Sequence, residues 1–358
     1  MNTQRGRLSP KLNWRRRMRN TSQTICITKS LAALSLVAAL AACGGGGGDS
    51  STSSSTSGSS SSSGGSPSQT VTGTLSTPQY TSGSAQITAF NLLNQYRAQC
   101  GIPALQENTV LDQAAQSHAK YMGLNSAISD SETSGSAGFT GASYQDRAVA
   151  AGLPTSTFST GVSGGASITT NGFTAAQAGQ MFVNSLLAGV YHAAIVAYPS
   201  NTMGIGEYET QSTSSGLAWT NAWESISVLV SQSSIFSNTP LTFPCQGVTG
   251  VPYKSTSESP TPPNVSNSGW GTPVVVMGNT SDTIILQNAS MTGPSGSVAL
   301  QILNSTTDPN KALGAYQAVA YPTSPLLPNT QYSVTLTGTV NGTAFSRNFT
   351  FTTGNVVG

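Results

Sequence analysis

Two histidines and a thin scatter of carboxylates are what the chain offers for acid–base or metal chemistry. His118 follows Leu111 and Ala115 and precedes Met122 at helical spacing, which places it on the apolar face of a helix and predicts a buried, hydrogen-bonded core histidine. His192, in Val190-Tyr191-His192, is the other histidine. Asp130 and Glu132 sit in a polar, Gly-rich stretch, Asn125 to Gly141, that reads as a long loop. With His192 they could supply three ligands to zinc only if that loop folds over a shared cleft, since zinc wants three or four N, S or carboxylate donors in tight geometry. No confident metal or cofactor follows. A nucleophilic hydrolase needs Ser or Cys beside a His oriented by a carboxylate, which two histidines, one of them expected in the core, supply poorly. The acidic residues show no paired spacing of the kind glycosidases use. The polyglycine after Cys43 precedes no helix, so it is no phosphate-binding loop.

The elements that must position these residues begin after a targeting segment. Eight of the fourteen Lys and Arg precede Cys43, and the apolar run Leu31 to Ala42 is twelve residues long. That is short of the roughly 20 residues a membrane-spanning helix needs, and fits a signal peptide. It ends Leu40-Ala41-Ala42-Cys43, which resembles the lipobox of bacterial lipoproteins and implies lipidation of Cys43 and removal of residues 1–42. Met18 offers a second start that leaves the cleavage site unchanged. Beyond Cys43 six basic residues face twelve acidic ones, a net charge of −6. Without a basic cluster, nucleic acid is not an expected partner. Cys100 and Cys245 remain, and in an oxidising compartment they most simply pair as a disulfide.

Residues 43–85 are Gly, Ser and Thr with few large apolar side chains, too few to offset the entropy of ordering. They are expected to form a flexible tether with an r.m.s. span of roughly 35 Å. Residues 86–250 read as helices followed by strands. The helical stripes are Ile87, Phe90 and Leu93, then Leu111 to Met122, a short helix over Asp146–Ala151, and one N-capped by Thr174. Strands are expected over Met203–Tyr208, near Trp219–Trp223 and over Ser225–Val230. The order predicts an α+β domain with helices covering a small sheet. Residues 251–271, rich in Pro, Ser and Asn, read as a linker. Residues 272–358 show short alternating runs and the hairpin signal Asn341-Gly342, predicting an all-β sandwich.

Several segments together resemble the CAP superfamily, the cysteine-rich secretory, antigen 5 and pathogenesis-related group. They are Asn91-Leu92-Leu93-Asn94-Gln95-Tyr96-Arg97 with Gly101-Ile102-Pro103-Ala104-Leu105, and the Leu111 to Met122 helix. Gly138-Phe139-Thr140-Gly141 followed by Asp146-Arg147 and Ala151-Gly152 comes next. Val190-Tyr191-His192 and Met203-Gly204-Ile205-Gly206 complete the set. The resemblance implies a three-layer α-β-α sandwich and a central cleft with two His and two Glu able to hold a divalent metal. Here that set is depleted. His192 matches one histidine and Asp130 stands where the other is expected. Gly165-Ala166-Ser167 occupies the place of a Gly-Glu-Asn triplet, and Gln177 or a neighbour that of the second Glu. The tail resembles an immunoglobulin- or fibronectin-like module through Leu327-Pro328-Asn329-Thr330 with Tyr332 and through Phe349 to Thr353.

The expectation is a lipid-anchored extracytoplasmic protein, on the outer membrane because Gly44 rather than Asp follows the cysteine. It binds a lipid or envelope component through a cleft around His192, Asp130 and Glu132, without turnover. The alternatives are a metal-dependent envelope hydrolase using the same three residues, and a structural or adhesive surface protein.

Overall fold

A computed structural model describes residues 72–230 and 235–358. The targeting segment, Cys43 and most of the tether lie outside them. The last part of the expected tether is held: Asn108 Nδ2 donates to Thr72 O and Thr74 Oγ1, and the Tyr80 hydroxyl donates to Asp112 Oδ1 at 2.5 Å.

Four helices and four strands make the first half. They are α1 (Ala85–Gln99), β1 (Gln106–Glu107), α2 (Thr109–Asn125), α3 (Tyr144–Ala150), β2 (Ser159–Thr169), α4 (Ala175–Ala188), β3 (Thr202–Ser214) and β4 (Leu217–Leu229). Each helix starts where a short polar side chain accepts from an otherwise orphan amide. Ser84 caps α1, Asn108 caps α2, Thr174 caps α4, and Ser143 with Asp146 forms a reciprocal capping box on α3. The two strands expected at Trp219–Trp223 and Ser225–Val230 are one continuous strand, β4.

The sheet runs β1-β3-β4-β2, and its faces meet different helices. Gly204 and Gly206 explain how α2 comes so close. A Cβ at the first would collide with the backbone of Leu111 and Asp112, and one at the second with the backbone of Ala115 and Gln116. Met203, Ile205, Ile226 and Val228 point the other way and share a core with Phe90, Leu93, Phe182 and Leu186 of α1 and α4. Arg97 of α1 is fully buried and holds the following loops by donating to the carbonyls of Pro103, Val196, Tyr198 and Ser200.

The second half is β-rich: β5 (Leu241–Phe243), β6 (Thr249–Val251), β7 (Val274–Met277), β8 (Ile284–Gly293), β9 (Gly296–Val298), β10 (Leu300–Asn304), β11 (Gln317–Pro322), β12 (Gln331–Val340) and β13 (Thr343–Thr353). They form two sheets, β10-β11-β7-β5 and β6-β13-β12-β8-β9. The β12–β13 turn places Asn341 and Gly342 at φ 51° and 81°, the paired left-handed conformations of a tight hairpin.

Two sequence expectations change here. Residues 241–250, read as part of the first domain, carry β5 and most of β6 and so supply strands to both sheets of the second half, because β5 pairs with β7 and β6 with β13. Residues 251–271 are not a free linker. Trp270 is 1% exposed and its Nε1 donates to Ala188 O at 2.8 Å, while Ser255 bridges to Trp270. One hydrophobic core runs through both halves. The disulfide Cys100–Cys245 joins the end of α1 to the segment between β5 and β6, so it ties the halves together.

Candidate functional site

The loop between α2 and α3 folds back beneath α2 and carries its carboxylates inward. Glu132 is 4% exposed. Its Oε1 lies 2.9 Å from His118 Nδ1 and 3.8 Å from Arg147 Nε, and its Oε2 accepts from the amides of Thr140 and Gly141 at 2.6 and 3.2 Å. Burial alone would raise the Glu132 pKa, but the hydrogen bond to His118, the two amides and the Arg147 charge together hold it below the usual range. Burial pulls His118 down, while Glu132 and Ser129 oppose that. His118 Nε2 faces Ser129 O at 2.7 Å and therefore carries a proton. The expectation of a buried, bonded core histidine holds for His118.

Asp130 belongs to the same buried group. The Tyr144 hydroxyl donates to Asp130 Oδ1 at 2.8 Å and lies 2.5 Å from Ser163 Oγ, and Arg147 Nη2 donates to the Asp130 carbonyl. Burial, then the Asp130 charge, pushes the Tyr144 pKa well up, so it stays a neutral donor. Ser163 sits in Gly161-Val162-Ser163-Gly164-Gly165, a Gly-x-Ser-x-Gly run, which corrects, at the level of sequence though not of structure, the expectation that the chain has no Gly-x-Ser-x-Gly elbow. In the nucleophile elbow such a serine stands exposed on a strand-to-helix turn. Here it is mid-strand in β2 and fully buried.

His192 is elsewhere. It opens a short 3-10 turn, His192–Ile195, and is 1% exposed rather than lining an open cleft. What covers it is Glu258, from the segment expected as a linker. Glu258 Oε1 lies 2.5 Å from His192 Nδ1 and accepts from the amides of Tyr191 and His192 at 2.9 and 3.0 Å. Its Oε2 accepts from Val190 N at 2.7 Å. Beside it the Tyr191 hydroxyl donates to Asp308 Oδ1 at 2.8 Å. The structure therefore brings Asp130 and Glu132 into one cluster around Tyr144 and Arg147, and the histidine that Glu132 meets there is His118, not His192. Among the described residues no three His, Cys, Asp or Glu side chains converge as a metal set, so the trio Asp130, Glu132 and His192 is not assembled.

What remains open lies at the place of the missing triplet. A cavity of about 120 Å³ is lined by Ile128, Gly165, Ala166, Ser167, Asn221, Ala222 and Trp223. Ser167 Oγ donates to Asn221 Oδ1 at 2.7 Å at its polar end, and Trp223 Nε1 donates to Thr210 Oγ1. Leu124 and Phe139, both more than a third exposed, belong to the α2 end and the loop that also supply Ile128. A larger cavity, about 190 Å³, is lined by the turns Gly293–Ala299 and Thr323–Leu327 with Tyr332. None of the residues considered above contributes to it, so size does not decide which cavity is functional.

Sequence reasoning missed Glu258, a lone acid in a Pro-Ser-rich stretch, and the burial of Glu224 on β4. Its period-2 position beside Ala222 and Ile226 was the signal available for the latter. No curated protein matches the chain. Residues 90–224 match the family described as CAP, the Cysteine-rich secretory protein family. The matched span runs from α1 to β4, with the Gly204–Gly206 approach to α2 and the buried Arg97, and a β-rich C-terminal half follows it.

Proposed function

We propose that this is an extracytoplasmic, lipid-anchored CAP-domain protein that binds a small apolar group of an envelope or lipid component at the Gly165–Ser167 cavity, without turnover. One observation carries the reading. Each acid and histidine assigned to chemistry is occupied by partners within the chain, whereas the Gly165–Ser167 cavity is walled by Ile128, Trp223 and small residues. Apolar walls with a few placed polar groups suit binding. An apolar void of roughly 150 Å³ holds a benzene ring, so this one fits a ring or a short stretch of acyl chain, not a whole lipid. The Cys100–Cys245 disulfide supports an oxidising compartment. The signal and lipobox reading supports the anchor.

The test is fluorescence of Trp223 in the full chain during titration with decanoate and with envelope lipid extracts. Saturable change in the parent, lost in Ser167→Leu, is expected, because that side chain fills the cavity from its polar end. No saturable change with any ligand, or an identical response in Ser167→Leu, would sink the reading.

A further inference from the structure

On the face of the sheet opposite α2, a row of carboxylates runs from solvent into the interior. Glu224 of β4 pairs directly with Glu207 of β3, so the two side chains share a face. Glu209, two residues on, projects to that same face. Their exposure is graded: Glu209 is exposed, Glu207 intermediate and Glu224 only 1% exposed. On its other side Glu224 is paired with Gly164, which adds no side chain to the row.

The environment of Glu224 does not balance. Both carboxylate oxygens are buried without a hydrogen-bond partner among the described residues, and so is Oε1 of Glu207. The ion pairs found among the described residues involve Glu132 and Glu258, and none reaches this row. A carboxylate taken from water without a partner is so costly that it must be protonated or matched by a cation. A like-charged neighbour makes this worse, and burial and Glu207 push Glu224 well up, with Glu207 pushed up to about 7.

We propose that Glu224 and Glu207 form a site for a hard divalent cation of the calcium class, reached from solvent past Glu209. The donor set is oxygen alone, without sulfur or imidazole, which selects hard cations over zinc or copper. Because the described residues hold no closed three-ligand set, the site is of the open kind, with two carboxylates and water completing the shell. Sparse protein ligation implies modest affinity, of the order of 10⁻⁴–10⁻³ M.

The experiment uses the full chain freed of metal by chelator. Terbium is added, its luminescence is excited through tryptophan (Trp223 adjoins Glu224 in β4), and calcium is titrated in to displace it. Saturable luminescence displaced by millimolar calcium is expected. Glu224→Gln should weaken binding by about tenfold or more, as even outer-shell changes do at metal sites; Glu209→Gln should weaken it less. Absence of a calcium-displaceable signal overturns the proposal, as does an unchanged signal in Glu224→Gln, and Glu224 is then a protonated core acid. Should Glu224→Gln fail to fold, Glu207→Gln carries the same two outcomes. Calcium-dependent melting of the parent, absent in the variant, is the independent readout.

Discussion

Glu132 and Glu224 are buried to nearly the same depth, 4% and 1% exposed, on opposite sides of the same domain. Glu132 is met by His118, Arg147 and two amides, whereas Glu224 meets no hydrogen-bond partner among the described residues. Depth therefore says little about role. A saturated carboxylate is an architectural part whose lone pairs are used up in holding a loop beneath a helix. An unsaturated one keeps its lone pairs for a proton or a cation.

Breaking the saturated side should cost most. Glu132→Ala strands Arg147 in the interior and frees two amides, and a loss of about 3–5 kcal/mol is expected from denaturant unfolding. Next comes Glu258→Gln, which keeps the shape but removes the charge seen by His192 and three amides. A loss of roughly 1–3 kcal/mol is expected, with thermal melting as the check. Should this variant cost nothing, the seal over His192 is incidental.

The two acids also predict opposite slopes with pH. Glu132 has its folded pKa below the unfolded value of about 4.3, so its stabilisation is present above that pH and lost as pH falls through the folded pKa. Glu224 has its folded pKa raised, so its contribution is present below about 4.3 and is lost as pH rises toward the folded pKa. In chelator, stability should fall from about pH 5 upward by at most about 1.4 kcal/mol per pH unit for that group. Glu224→Gln should flatten this limb alone. A slope unchanged by the substitution would mean that Glu224 is not the group responsible. The smallest effect is expected of Tyr144→Phe, which removes the donor to Asp130 and the contact with Ser163, at roughly 1 kcal/mol by melting.

Much of the framework was legible because it rests on periodicity and short-range chemistry. The Phe90–Leu93 stripe, the Leu111–Met122 helix, the Thr174 cap and the Asn341-Gly342 turn each announce themselves within a few residues. β2 did not, because Ser-Thr-Gly-Val-Ser-Gly-Gly-Ala-Ser-Ile-Thr has little of the β-branched and aromatic character that marks a strand. It is a strand because β4 pairs along its whole length. The site was legible in part. Asp130 and Glu132 are both buried, but long-range folding of the loop, invisible to spacing, gave Glu132 to His118 and Asp130 to Tyr144, and left His192 to Glu258. The Pro-Ser-rich composition of 251–271 suggested freedom, and one carboxylate with four close donors outweighs it.

The shared core has a consequence for recombination. A cut at residue 251 would remove Glu258 from the Val190–His192 amides, Trp270 from Ala188, and the partners of β5 and β6. It would leave Phe243, Val248 and Val251 facing water. The two halves are therefore one unit of exchange: a fragment swapped at the compositional boundary would arrive with a torn interface, and only a graft spanning both would be inherited intact.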